Sequence, residues 1–538
     1  MKSNNVAANM ILILFIIVFC LMQVACEKST TTDPETPAPP DTSSTPDPVD
    51  PPFDDGGDLS IRYIHRLPEV DYVWNSSNPA VEGWPLEGQE IIWRAVAVNW
   101  ASHQRDSVGF AWFMDGAEIE SGTISMLAGE ETLIDFNWNW TFDRHEIEFI
   151  IDPLNKLEEG KEENNSLSFF TDAITVGFYV EQSVYDYYLN YYSPSYYENG
   201  TLDDWLHKQI DRLNLMCEDA VYNTSPEGVI DRFRIDKITI VGDGALPLVP
   251  LTNIPPEDAS PGTHPNIEDY SVDIQWGFTA EGLSANKKDA DLSKTSIFHI
   301  DGQTLLHELG HARYLTDVYA FRLYHGVYSD SVLVKENGDL IAGSPYMPGI
   351  IVHYTGPQGS GEGLTLYRTG IEGLMNQSYS FMDQHSAVAL NLIAGQRAVC
   401  GNYNEPCNIG CYLNDLPSQN RLTLKSNDGS ILAGAEVEIY QAEGVPGSGT
   451  FYSRRIDNIA DLHFTADGNG QILIGRNPFS SDVIEQDWEV SNTTAVIRVE
   501  FNGSVGYNIL DVSDFNLAYW EGSTGQADYE VTFNLIDP

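Results

Sequence analysis

Positive charge is what this sequence lacks most. Its 538 residues hold 28 Lys and Arg against 79 Asp and Glu, a formal net charge of -51 at pH 7. Nucleic acids and anionic membranes are bound through positive surface, so both are excluded as direct partners. Cysteine is scarce as well, with six residues. Repeats of solenoid length are missing, which excludes a stacked array. No Asp-rich loop has clear calcium-ligand spacing. The nearest, Asp467-Gly468-Asn469-Gly470, reads as a turn, so calcium is unsupported as a cofactor.

Apolar residues are not lacking. The composition is 42% hydrophobic and 11% aromatic, ample for packed cores. The length predicts about three or four domains.

The chain begins with Lys2 and an apolar run from Met10 to Phe19, ending at Val24-Ala25-Cys26. A basic start, a short apolar core and a small closing residue describe an export signal over residues 1–25. The run is short of the ~20 residues that cross a bilayer, so cleavage is expected instead of a permanent helix. The junction resembles a bacterial lipoprotein signal, with Cys26 as the lipidated residue, although Gln23 stands where that family prefers Leu. Residues 26–57 follow as a linker, with eight prolines among Thr, Ser, Asp and Gly from position 27 on. Such a tract cannot bury a core and acts as a stalk. The expected location is therefore a bacterial outer membrane or cell surface, or the medium, with membrane contact only through the anchor. Cys217, Cys400, Cys407 and Cys411 remain beyond the leader, an even number that fits two disulfides with three possible pairings.

Three regions follow. Residues 58–175 read as short strands separated by turn signals at Asp115-Gly116 and Ala128-Gly129. In His145–Asp152, Ile147, Phe149 and Ile151 fall on one face, as a half-buried strand requires. This predicts a β-sandwich. Ala97-Val98-Asn99, Leu127-Ala128-Gly129 and the closing Asp152 with Glu162-Glu163-Asn164-Asn165 resemble a bacterial cell-adhesion-related immunoglobulin-like domain. That resemblance implies a spacer or an adhesive module with a cell-surface or glycan ligand.

Residues 176–412 read as mixed α/β. Thr201 caps a helix with Asp204 as its capping-box partner, and Leu202, Leu206, Ile210, Leu213, Cys217 and Ala220 recur at helical spacing. Phe233–Val241 and Val272–Phe278 read as strands. Residues 413–538 return to alternating strands, and their turns resemble the regulatory-like β-sandwich appended to many secreted enzymes. The expected fold class is thus multidomain, with a central α/β (α+β) domain flanked by two all-β sandwiches.

Chemistry concentrates on His307-Glu308-Leu309-Gly310-His311, in a helical segment that Asp301 can cap. At 100° per residue the two histidines lie within about 40° of each other on one face, with Glu308 on its flank. Two imidazoles can hold one zinc ion while the carboxylate acts as general base. A third protein ligand is expected. Asp317 is the local candidate, and His325, His353, Glu362 and Glu372 are rivals.

His307-Glu308-x-x-His311 with Asp317 six residues on, then Met375 in Gly373-Leu374-Met375-Asn376, resembles the metzincin metallopeptidases. The resemblance implies one catalytic zinc held by His307, His311 and Asp317, Glu308 as the catalytic residue, and Met375 in a turn beneath the metal. One position departs from the pattern: Tyr314 stands where the family has the glycine that makes the left-handed helix exit. The expected function is a surface-anchored or secreted zinc endopeptidase with a protein or peptide substrate. Two alternatives stand beside it: a non-enzymatic adhesin or glycan-binding protein that retains a zinc site, and a zinc hydrolase of non-protein amides. The Gly-rich stretch 356–363, within residues 318–370, is expected to be a flexible loop near the site.

Overall fold

The computed structural model describes residues 57–69, 84–191, 201–246, 303–316, 410–442, 456–479 and 493–537, with shorter pieces between 248 and 395. The leader, Cys26 and nearly all of the Pro-rich linker lie outside the described residues, as do Asp317, Glu362, Glu372, Cys400 and Cys407.

Seven strands build the first region: β1 (Leu59–Leu67), β2 (Glu90–Asn99), β3 (Arg105–Met114), β4 (Ala117–Met126), β5 (Glu131–Asn139), β6 (Glu146–Ile151) and β7 (Ser166–Phe170). They form two sheets, ordered β1-β2-β5 and β4-β3-β6-β7. Alternation decides which side chains meet. Ile61, Trp93 and Ile134 from one sheet share a core with Trp112, Ile147 and Phe149 from the other. Trp112 and Phe149 sit with ring centroids 4.7 Å apart. This is a β-sandwich of antiparallel strands.

The central region opens with β8 (Ile174–Glu181), whose eight residues are all buried. A strand buried along its whole length belongs to a sheet covered on both faces. β8 lies between β9 (Phe233–Val241) and β12 (Ile274–Phe278), parallel to both. The helices Gln182–Tyr191 and Leu202–Asp219 stand between β8 and β9 in the chain. Thr201 Oγ1 accepts from Asp204 N at 3.2 Å, and Asp204 Oδ2 accepts from Thr201 N at 2.9 Å, a complete capping box. A two-stranded ladder of β10 (Leu248–Val249) and β11 (His264–Pro265) precedes β12. A three-stranded sheet of β13 (Leu323–His325), β15 (Leu364–Arg368) and β14 (Ile350–Tyr354) follows the helix Gln303–Ala312.

The last region has β16 (Gln419–Ser426), β17 (Glu436–Gln441), β18 (Leu462–Thr465), β19 (Gln471–Ile474), β20 (Thr494–Phe501), β21 (Ser504–Asp511) and β22 (Gln526–Phe533). Their two sheets are ordered β19-β16-β22 and β18-β17-β20-β21. The turn at 467–470 carries the chain from β18 in one sheet to β19 in the other. Asp467 Oδ1 accepts there from Asn469 N and Gln471 N, both at 2.8 Å, so its carboxylate closes the turn. A nine-residue helix, Val512–Trp520, stands between β21 and β22 and was not legible in the strand pattern.

The core of the parallel sheet runs without a break into the C-terminal sandwich, joining Phe178, Leu206 and Leu309 to Leu422, Val499 and Phe515. Residues between 332 and 347 also contribute to packing. Val332, Leu333, Ile341 and Met347 lie against Tyr440, Val496 and Ile509 on the outside of the β17–β20–β21 sheet. Residues 356–363 themselves lie outside the described set.

Candidate metal centre

The helix Gln303–Ala312 is amphipathic in the ordinary sense, and its apolar residues explain its depth. Leu305, Leu306 and Leu309 are fully buried in the main core. His307 and His311 are buried too, at 9% and 5% exposure, on the adjoining face. Their ring centroids are 4.7 Å apart with planes at 89°.

Each imidazole is oriented from behind. His307 Nδ1 lies 3.0 Å from the Leu374 carbonyl oxygen, and His311 Nδ1 lies 2.7 Å from the Leu315 carbonyl oxygen. A carbonyl oxygen only accepts, so each Nδ1 carries a proton, and the neutral form of each ring has its lone pair on Nε2. Fixing the tautomer through the far nitrogen is how histidine ligands are commonly held.

The helix exit explains how Leu315 comes to lie behind His311. Tyr314 N donates to His311 O at 2.9 Å, and Leu315 N donates to Gly310 O at 3.1 Å. This pair of bonds is a Schellman closure. Its left-handed residue is Tyr314, at φ 67°. A side chain there costs roughly 1–2 kcal/mol against glycine. Tyr314 is only 3% exposed, so its buried ring offsets that cost. The helix exit is therefore left-handed with a tyrosine at its left-handed position.

Below the helix, the turn 373–376 brings its backbone close. Asn376 N donates to Gly373 O at 2.9 Å, and Val318 N donates to Met375 O at 3.1 Å. Met375 is fully buried. A Cβ built on Gly310 would lie 2.6 Å from Met375 Sδ, which is why a glycine occupies the middle of this helix.

At the helix end, Arg313 is entirely buried and pairs with Asp231 at 2.7 Å. Asp231 also accepts from Gly395 N at 2.8 Å, beyond the helix Gln384–Leu392. Nothing in the sequence pattern marked Arg313 or Asp231, because such a pair is defined only by the packing of distant segments.

The metzincin resemblance is not sustained. That family needs a third protein ligand converging on the two histidines. Among the described residues, no group of three or more His, Cys, Asp and Glu side chains comes together to hold a metal. Asp317 and the side chain of Glu308 lie outside the described residues.

Cys217 is corrected as well. It is a free thiol, buried in the core on the helix Leu202–Asp219, and burial pushes its pKa up to about 12. Its helical spacing, not a disulfide, accounts for its position. The side chain of Cys411 lies outside the described residues. No described helix is long and apolar enough to cross a membrane.

No protein-family model matches the chain. No curated protein matches it either. Among solved structures, a CARDB domain from Pyrococcus furiosus is 21% identical and covers 22% of this chain and 92% of its own, at TM-score 0.17. A domain of a putative cell surface protein from Methanosarcina acetivorans is 21% identical, covering 21% of this chain and 89% of its own, at TM-score 0.16. The catechol 1,2 dioxygenase of Acinetobacter radioresistens is 14% identical, covering 22% of this chain and 52% of its own, at TM-score 0.13. At these TM-scores the likenesses carry no argument about chemistry.

Proposed function

We propose that this chain is an exported zinc-dependent hydrolase of peptide bonds, anchored at Cys26. The observation that carries the reading is the pair His307 and His311. Two buried imidazoles one helical turn apart both give Nδ1 to a backbone carbonyl, so Nε2 would be the ligating nitrogen of each. Imidazole nitrogen suits zinc, and a buried histidine pair oriented in this way fits the ion's donor chemistry. Bound there, zinc would lower the pKa of water towards ~7 and polarise a substrate carbonyl.

The chain's own residues supply the rest. His307 and His311 would hold the ion. Leu374 and Leu315 fix their rings through carbonyl oxygens. Glu308, beside His307 in sequence, would take a proton from water and return it to the leaving amine. A zinc with a purely structural role has no use for that carboxylate. The third ligand is sought among Asp317, His325, His353, Glu362 and Glu372.

The test uses purified residues 58–538. We expect one zinc per chain and cleavage of a denatured protein pool. Glu308→Gln should keep the zinc and lower cleavage by at least ~100-fold, within the range general acid–base catalysis contributes. Alanine at each candidate third ligand in turn should identify the one whose loss weakens zinc binding. A wild-type protein without zinc overturns the reading. Zinc binding with no cleavage of protein points instead to an adhesin that retains the metal, or to a non-protein amide as substrate.

A further inference from the structure

The C-terminal sandwich reaches the proposed metal site through a chain of hydrogen bonds. Three residues after Gly410 comes Leu413, and between them Tyr412 turns its phenol toward the exit of the histidine helix. Tyr412 Oη accepts from Thr316 N at 2.9 Å. Gly410 N donates to Tyr314 O at 3.0 Å. These two bonds bracket Leu315, whose carbonyl oxygen orients His311 at 2.7 Å. Gly410 is suited to this contact on two counts. Its φ is +72°, and a Cβ there would lie 3.1 Å from Thr316 Cβ.

The turn at 410–416 is in turn gripped by the helix Val512–Trp520. Asn516 is fully buried, and its Nδ2 donates to the carbonyl of Asp415 at 2.8 Å and lies 3.3 Å from those of Tyr412 and Leu413. Trp520 Nε1 donates to Asp415 Oδ2 at 2.9 Å. His385, on the helix Gln384–Leu392, donates from Nε2 to Asn516 Oδ1 at 3.2 Å and stacks on Trp520 with centroids 5.3 Å apart. Burial lowers the His385 pKa, which favours the neutral ring.

We infer that Tyr412 and Asn516 are positioning residues for His311. Asn516 sets the 410–416 turn, and the turn, through Tyr412 and Gly410, fixes the Leu315 carbonyl behind the imidazole. The inference rests on the zinc reading above and extends it: the C-terminal sandwich is part of the metal site's support, not an appended module. A stretch that leaves a helix through a strained left-handed residue needs such external fastening, since otherwise Leu315 could relax away from His311.

The experiment measures zinc affinity by chelator competition and the visible spectrum of the cobalt-substituted protein, on residues 58–538. Tyr412→Phe removes the acceptor for Thr316 and keeps the ring. Asn516→Ala removes the grip on the turn. Val531→Ala, in β22 and outside the relay, serves as a control for general destabilisation. We expect Tyr412→Phe and Asn516→Ala each to weaken zinc by about 3- to 10-fold, below the 10- to 100-fold typical of direct partners of metal-ligating histidines, and to shift the cobalt bands. Val531→Ala should lower the melting temperature while leaving affinity and bands unchanged. If Asn516→Ala fails to fold, Tyr412→Phe alone decides. Wild-type zinc affinity and an unmoved cobalt spectrum in Tyr412→Phe overturn the inference and leave the zinc reading standing. A wild type that binds neither metal overturns both.

Discussion

At the residue scale, the end of the histidine helix is tied to a distant segment by the buried Arg313–Asp231 pair. His307 and His311 are four apart, and helical geometry alone puts them together. Arg313 stands only two positions on, yet its partner Asp231 lies far back in the chain. A fully buried guanidinium facing a buried carboxylate at 2.7 Å holds two segments together. Removing one member of such a pair strands the other charge in a medium that solvates it poorly. Arg313→Met should therefore destabilise the protein by about 3–5 kcal/mol, measured by urea unfolding. A loss under about 1 kcal/mol would mean that water reaches Asp231 readily. Tyr314 teaches the converse lesson. Its identity argued against a left-handed exit, and its burial overrode that preference.

At the element scale, local signals were reliable wherever the determinants were adjacent. The helix Leu202–Asp219 has its capping box at Thr201 and Asp204, and its apolar positions Leu202, Leu206, Ile210, Leu213 and Cys217 are all buried. Thr201→Ala should cost about 1 kcal/mol, because the Asp204 amide loses its acceptor at the helix start. Thermal unfolding would detect this as a small, reproducible fall in melting temperature; Thr201→Ser should fall much less. The helix Val512–Trp520 escaped notice for a physical reason. It is short, flanked by alternating strands, and its stability comes from packing and from Asp511, whose Oδ1 accepts from Ser513 N at 2.8 Å. An exported chain favours disulfides for Cys217, yet its place on the buried face of this helix leaves it a free thiol.

At the scale of the whole molecule, the acidic balance has a local consequence where the N-terminal sandwich meets the central region. Arg62 on β1 pairs with the fully buried Asp203 at 2.9 Å, and His207 Nε2 is bonded to the Arg62 carbonyl oxygen at 2.6 Å. Beside this joint, burial raises Asp58 to about 6 and Glu159 to about 7, and neighbouring carboxylates add to both. For an acid whose folded pKa is raised, the folded state binds more protons than the unfolded state between the two values. Stability therefore falls as pH rises from about 4.5 to about 7 on account of Glu159, and it recovers on acidification within that window. Unfolding of wild type and Glu159→Gln at pH 5 and pH 7.5 should show the wild type losing more stability over that rise than the variant. Equal slopes would show that the Glu159 carboxyl is solvated in the native protein.

The sequence by itself determined what depends on neighbours along the chain. The alternating strands, the capped helix and the spacing of His307, Glu308 and His311 are periodicities, and a single segment expresses them. Only the tertiary structure decided the rest. Which carbonyl stands behind each imidazole, which residue bears the left-handed turn, and which helix grips the 410–416 turn are settled by contacts between segments far apart in sequence. Hydrogen bonds and buried ion pairs act over a few ångströms, and the pattern of one segment carries no record of what another will bring within that reach.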